Sequence, residues 1–141
     1  MSTETLMAGL EAQLQTFLPL RRVTRSLAAD PANLSDAILT QGQVCLLADG
    51  GGEFWNYQGR EGDGGDLDIV LVGFVKVPEK TETVTIEQAE LALKDDVLRF
   101  CQSISLGNTL LAALVPLSWR TSKQTEHPFG WMVMKLKARW L

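Results

Sequence analysis

The stretch DLDIVLVGFVKV, residues 66–77, is the best strand candidate in the chain, and it decides the predicted fold. Its odd-numbered positions, from Leu67 to Val77, are apolar apart from Gly73. The even positions from Val70 to Phe74 are apolar as well, which is typical of a strand that is covered on both sides. We therefore expect this stretch to be the central strand of one domain.

The part of the chain before this strand predicts a helix, two further strands and a loop. Leu6, Leu10 and Leu14 recur at helical spacing, and Pro19 ends this pattern because proline cannot continue a helix. The predicted elements are a helix at residues 3–18, a short strand at 21–26, an irregular connection at 28–40, a strand at 43–48 and a long glycine-rich loop at 50–65.

The part after the central strand predicts a second helix and a β-hairpin. Thr85 and Gln88 have the spacing of a capping box, and apolar residues follow at helical spacing up to Ile104. On the outer face of this helix we expect two ion pairs, Glu90 with Lys94 and Asp95 with Arg99. Residues 117–121 and 130–141 alternate in polarity and predict the hairpin.

These elements together predict an α+β fold with a mostly antiparallel sheet and both main helices packed on one face, because the strands cluster and do not alternate regularly with helices. The 141 residues are 45% hydrophobic and 21% charged, which is typical of one globular domain spanning residues 1–141. A chain of this size does not need a disulfide or a metal ion to fold.

The charge of the chain and the length of its apolar runs limit the classes of partner that we expect. The net charge of -4 argues against direct recognition of nucleic acid. Residues 26–114 carry five bases and fourteen acids, whereas residues 115–141 carry five bases and one acid. This asymmetry is explained either by two solvated faces or by complementary patches where copies of the chain meet head to tail. We expect no membrane partner, because no apolar run approaches the ~20 residues of a span.

The sequence predicts neither a catalytic site nor a cofactor or metal site. The glycines precede a strand, whereas a phosphate-binding loop precedes a helix. His127, the single histidine, has no cysteine near it in the sequence, which leaves a zinc site unsupported. Cys45 and Cys101 lie in apolar surroundings without metal-binding spacing, so we expect buried thiols and a reducing compartment. We therefore expect that the protein is not an enzyme.

The order and size of these elements resemble the tail terminator proteins of long-tailed bacteriophages and prophages, the minor tail protein U type. The resemblance covers most of the chain. It rests on the N-terminal helix ending at Pro19, the segments LRRVTRSL, QVCLLA and DLDIVLVGFVKV, the helix up to Ile104, and the LVPLSW and GWMVMKLKARW hairpin.

The resemblance implies a structural subunit that caps the tail tube as a sixfold ring, stops its polymerisation and offers a surface for head joining. Its implied partners are other copies, the tail tube protein and a head-completion protein. It implies a place in the bacterial cytoplasm during assembly and in the virion tail afterwards. Subunits of this family are often monomeric in isolation.

A closed ring needs two different surfaces on each subunit, and the sequence offers an acidic loop region and a basic C-terminal strand. The two aromatic residues beside the loop are also candidates, because such residues often anchor interfaces. The predicted interface residues are Trp55, Tyr57, Arg60, Glu61, Asp63, Asp66, Asp68, Lys135, Lys137 and Arg139.

The main alternative is a small acidic binding module or secretion-chaperone-like adaptor. Such a protein would form a stable twofold dimer and expose an apolar groove for an extended partner.

Overall fold

The chain folds into a five-stranded sheet with three helices in a computed structural model that describes residues 3–27, 35–54, 65–104 and 113–140. The elements are α1 (Thr3–Phe17), β1 (Arg22–Thr24), α2 (Asp36–Gln41), β2 (Gln43–Phe54), β3 (Gly65–Lys76), α3 (Thr83–Ile104), β4 (Ala113–Thr121) and β5 (Phe129–Trp140). The spatial order of the strands is β1-β2-β3-β5-β4. Only β1 and β2 pair in parallel, so the predicted α+β class with a mostly antiparallel sheet is confirmed.

Strand β3 lies at the centre of the sheet, as predicted, and pairs with β2 on one side and β5 on the other. Leu71 lies opposite Leu46 of β2 and Met134 of β5, and all three side chains are buried. The even-numbered residues of β3 between Asp68 and Lys76 are only partly buried. The expectation that this strand is covered on both sides therefore holds fully for one face and only in part for the other.

One apolar core joins the sheet to α1 and α3. The buried stripe of α1, which includes Leu6, Leu10 and Leu14, packs in the same cluster as the odd-numbered residues of β3. Residues of α3 such as Leu93 and Val97 belong to that cluster as well. Both main helices therefore pack on one face of the sheet, as the spacing of their apolar residues predicts.

The short helix α2 lies in a segment for which we expected no regular structure. Ser35 caps it by accepting a hydrogen bond from the Ile38 N–H, and Gly42, with a φ of 87°, ends it. Leu39 is buried but stands outside the main core cluster. A helix of six residues is too short to show a clear apolar period, which explains why the sequence pattern missed it.

The second strand is longer than its sequence pattern indicates. It continues beyond Ala48 through Gly50, Gly51 and Gly52, and its pairing register shifts between Ala48 and Gly52. A Cβ atom at Gly52 would lie 2.3 Å from the backbone oxygen of Asp66, so close pairing here requires glycine. The predicted end of this strand at Ala48 was wrong. The remainder of the predicted loop, residues 55–64, lies outside the described residues.

Helix α3 begins at Thr83, before the predicted capping box. The N–H of Thr85 donates to the backbone oxygen of Glu82, so Thr85 lies inside the first turn and is not the N-cap. The predicted start of this helix was therefore wrong by about one turn.

Glu90 is fully buried, and its predicted ion pair with Lys94 does not form. It follows Ile86 by four residues and precedes Leu93 by three, which places it on the apolar stripe of α3. Its Oε2 atom accepts hydrogen bonds from the backbone N–H groups of Ser122, at 3.1 Å, and Trp131, at 2.8 Å. The carboxylate thus ties α3 to β5 and to the residue that follows β4.

The second predicted ion pair on α3 also has different partners. Arg99 contacts Asp96, which lies three residues before it, in place of Asp95. Asp95 contacts Lys94 instead, at 2.7 Å.

Within the described residues, no helix combines the length and the hydropathy that a membrane span requires.

We expect Glu90→Ala to lower the free energy of unfolding by about 2–4 kcal/mol, because one buried and one partly buried backbone N–H group lose their acceptor. Glu90→Gln retains a carbonyl oxygen and should cost less. Urea denaturation monitored by circular dichroism measures both changes. The matched control is Gln88→Ala, an exposed position on the same helix that should change stability by less than about 0.5 kcal/mol. Equal stability of Glu90→Ala and the control would contradict the structural role of this carboxylate.

Candidate interaction surfaces

The open face is the side of the sheet opposite α1 and α3, and it carries those of the predicted acidic and basic interface residues that the structure describes. Across β3 and β5, Asp66 lies opposite Arg139 and Asp68 lies opposite Lys137. Directly opposite residues on antiparallel strands project from the same face, with Cβ atoms about 4.5–5.5 Å apart. The acids and bases are therefore neighbours within one subunit.

Asp66 and Arg139 form the closest of these contacts. The Arg139 Nε atom lies 3.3 Å from Oδ1 of Asp66, whose side chain is only 5% exposed. Arg139 itself is about half exposed, and partly exposed ion pairs contribute about 1 kcal/mol or less. The third base of the stripe, Lys135, lies opposite Val70 and not opposite an acid.

The structure thus brings four of the ten predicted interface residues together in cross-strand pairs and places Lys135 beside them. The other five lie outside the described residues: Trp55, Tyr57, Arg60, Glu61 and Asp63. The sequence pattern identified one acidic and one basic segment but contained no information on their register. The acids and bases were expected to attract neighbouring copies, whereas Asp66 and Arg139 already attract each other within the subunit.

The outer edge of β1 is closed by a side chain of α1. The N–H of Arg22 donates towards β2, to the backbone oxygen of Gly42, whereas the N–H of Val23 donates to Oε1 of Gln15 at 3.0 Å. Gln15 Nε2 also donates to the backbone oxygens of Leu18, at 3.1 Å, and Arg21, at 2.8 Å. No sequence pattern indicates this role, because Gln15 resembles any polar residue of an amphipathic helix.

The opposite edge of the sheet is formed by β4, which pairs only with β5 in the part of the chain that the structure describes. Three large apolar side chains are exposed there, Val115, Leu117 at 58% and Trp119 at 48%, and we call them the β4 patch. Val115 lies opposite Lys137 and Trp119 opposite Met134, so these two side chains project from opposite faces. The register shift between Pro116 and Ser118 produces this arrangement.

Trp119 has a defined neighbour on the helix side. The Lys94 Nζ atom lies 4.9 Å from the centre of the indole ring, and it also contacts Asp95. A cation over an exposed tryptophan contributes about 0.5–1 kcal/mol. The contact favours one orientation of the indole and leaves about half of the residue in solvent.

Three further exposed apolar side chains flank β1: Phe17 at the end of α1, Leu20, at 82% exposure, before β1, and Leu27 after it. We call these three the α1–β1 patch. The Phe17 ring packs against Phe100 at a centroid distance of 5.6 Å. Among the described residues, the two patches contain every large exposed hydrophobic side chain except Val84, at the start of α3. The apolar surface is therefore concentrated at the two opposite edges of the sheet.

The described residues offer little that could perform chemistry. No three histidine, cysteine, aspartate or glutamate side chains within them are grouped as metal ligands. Ser122 and His127 both lie between β4 and β5, but Ser122 is only 3% exposed and is not accessible to a substrate. A cleft of about 360 Å³ lies between Thr3 and the bend of β2, and three glycines form much of its wall.

Both cysteines are buried and do not form a disulfide, as predicted. Burial raises the pKa of the Cys101 thiol to about 12 and also raises the pKa of Cys45, although a hydrogen bond from Gln43 partly opposes the latter shift. Both thiols are consequently protonated at neutral pH and poor nucleophiles.

Comparison of the sequence with known proteins finds no matching family model and no matching curated protein.

We expect the pairing of Asp66 with Arg139 to be measurable within a single subunit. A double-mutant cycle with Asp66→Ala and Arg139→Ala should give a coupling energy of about 0.5–1 kcal/mol that decreases as salt is added. The matched cycle of Asp68 with Lys137 should give a smaller coupling, because Asp68 is less buried. Denaturation at several protein concentrations provides the control. A coupling that appears only at high concentration would show that the charges act between copies.

Proposed function

We propose that this chain is a structural protein of a bacteriophage or prophage that caps the tail tube and terminates its polymerisation as a hexameric ring. The resemblance of element order and size to tail terminator proteins is the starting point. The observed α+β architecture, with both main helices on one face and a C-terminal hairpin, is compatible with that resemblance.

The observation that carries the proposal is the placement of exposed apolar side chains in two unlike patches at opposite edges of one sheet. A ring is built from heterologous contacts, in which one surface of each subunit meets a different surface of the next. Two unlike patches at opposite edges suit such an arrangement. A twofold dimer joined through one patch would leave the other patch in solvent.

The same observation weighs against the adaptor alternative without removing it. The nine residues of β4 form an edge strand that could accept an extended peptide, as adaptors do. However, Pro116 lacks an N–H group, and the register shift beside it interrupts the regular ladder that an added strand needs. The exposed apolar side chains of β4 are also divided between its two faces, so they do not form one continuous apolar groove.

On this proposal the ring binds the end of the tail tube through one surface and a head-completion protein through another. Its place would be the bacterial cytoplasm during assembly and the virion tail afterwards. The predicted contacts from Trp55 to Asp63 belong to this part of the proposal, as residues that would meet the tube or the neighbouring subunit. The protein needs no cofactor for this role.

Electron microscopy of the purified protein, alone at high concentration and mixed with tail tubes, tests the proposal. We expect sixfold rings or tubes that carry a cap at one end, and monomers in dilute solution by light scattering. Leu117→Lys should raise the protein concentration needed for ring formation at least tenfold, because it places a charge in the β4 patch. Val84→Lys, at a similarly exposed position outside both patches, serves as the control. A dimer at all concentrations, with uncapped tubes, would refute the proposal.

A further inference from the structure

We propose that the open face of the sheet binds a short, extended acidic segment of a partner protein through three cations, Arg120, Lys135 and Lys137, which we call the cation row. The proposal depends neither on a ring nor on the capping role. It follows from the register of β3, β4 and β5 and from the charges on the open face.

The register places the cation row on one face of the sheet. Lys135 lies opposite Val70 of β3, and Lys137, two residues further along β5, projects from the same face. Arg120 of β4 lies opposite Val133, which belongs to the same alternating set of β5 residues. The three cations therefore occupy three successive levels of the sheet, about 7 Å apart along the strands.

The cation row is accessible, and it has no ion-pair partner among the residues that the structure describes. Arg120 and Lys135 are exposed, and Lys137 is partly exposed. Asp68 lies directly opposite Lys137, but no salt bridge joins the two side chains. The positive charge of the row is therefore available to an anionic partner.

Paired cations mark both ends of the row. Arg139, the next β5 residue on this face, contacts Asp66 at 3.3 Å. Lys76, at the other end of β3, contacts Asp36 of α2 at 3.0 Å. The unpaired positive charge is consequently confined to the middle of the open face.

The spacing of the row fits an extended acidic segment. In an extended chain, side chains at positions i, i+2 and i+4 project to one side at the same interval of about 7 Å. Three acidic side chains at these positions would each meet one cation. The exposed hydroxyl group of Ser118, which lies opposite Lys135, can donate a hydrogen bond to one of these carboxylates.

A nucleic-acid strand fits this face less well. Grooves that bind single strands follow the phosphates over about 4–16 nucleotides, whereas the row has only three cations. The row also ends beside Asp66 and Asp68, and the exposed Glu53 lies opposite Asp66 on β2. A long polyanion would have to cross these carboxylates, but a short acidic segment would not.

Fluorescence anisotropy with synthetic peptides tests the proposal on the full chain. The probe is a fluorescein-labelled peptide in which three glutamates alternate with serines. The comparison peptide has the same composition, with its three glutamates adjacent. We expect the alternating peptide to bind at least threefold more tightly, because its spacing matches the row. Its affinity should decrease at least fivefold when salt is raised from about 0.01 M to about 0.15 M, because exposed charges are screened.

Charge reversal at the centre of the row provides the matched variants. Lys135→Glu should weaken binding of the alternating peptide at least tenfold. Lys80→Glu makes the same charge change at an exposed lysine in the turn after β3 and should weaken binding less than twofold. Lys135→Arg keeps the charge and should retain binding within about threefold. Circular dichroism checks that each variant is folded.

Equal binding of the two peptides, or equal weakening by Lys135→Glu and Lys80→Glu, would overturn the proposal, because the attraction would then depend on total charge alone. Tighter binding of a labelled oligothymidine of equal charge would overturn it in favour of nucleic acid. Self-association, measured by light scattering, that Lys135→Glu abolishes would overturn it in favour of a second copy. The absence of binding by either peptide would also overturn it. None of these outcomes bears on whether the protein caps tubes.

Discussion

Antiparallel pairing of β3 with β5 is the interaction on which the rest of the structure depends. Every residue of β3, from Gly65 to Lys76, has a partner in β5. This register sets Leu71 against Met134 in the core and Asp66 against Arg139 on the open face. A shift by one residue would exchange the two faces and place charged side chains against α1 and α3, so the apolar pattern excludes such a shift. The strand β4, carried by β5, then becomes the outer edge of the sheet.

The edge that β4 forms is held in place from the helix side. The Glu90 carboxylate accepts one N–H just after β4 and one from β5, and Lys94, one turn further along α3, lies over Trp119. The same helix therefore fixes both the backbone of the hairpin and its most prominent exposed aromatic residue. A rigid edge loses little conformational entropy on binding, which favours its use as a contact surface.

The sequence predicts the strongly periodic parts of the fold. Apolar residues recur at a spacing that only one type of element satisfies in the central strand, in α1 and α3, and in the C-terminal hairpin. The packing of both helices on one face of the sheet follows from this spacing. The short α2 was missed because six residues show no period. Glu90 was assigned to the surface because it has an acid-first spacing with Lys94, although its position between Ile86 and Leu93 placed it on the buried stripe.

The interaction surfaces were less predictable, for a physical reason. Charge segregation along the chain is visible in the sequence, but the pairing that sets Asp66 beside Arg139 depends on strand register, which segment composition does not contain. Whether an apolar residue of a strand is buried or exposed depends on the position of that strand in the sheet. The alternation that includes Leu117 and Trp119 predicts a strand but does not show that this strand, β4, lies at an edge with both side chains exposed. The role of Gln15 at the other edge had no sequence signal at all.

Hydroxyl-radical footprinting of the same protein as a dilute monomer and as a concentrated assembly tests whether the two edges of the sheet are contact surfaces between copies. Oxidation of Leu20 on one edge and of Leu117 and Trp119 on the other should fall together on assembly, while oxidation of Val84 should stay unchanged. Protection confined to the β4 edge, or protection of neither edge in a sample that has assembled, would contradict this role of the two edges.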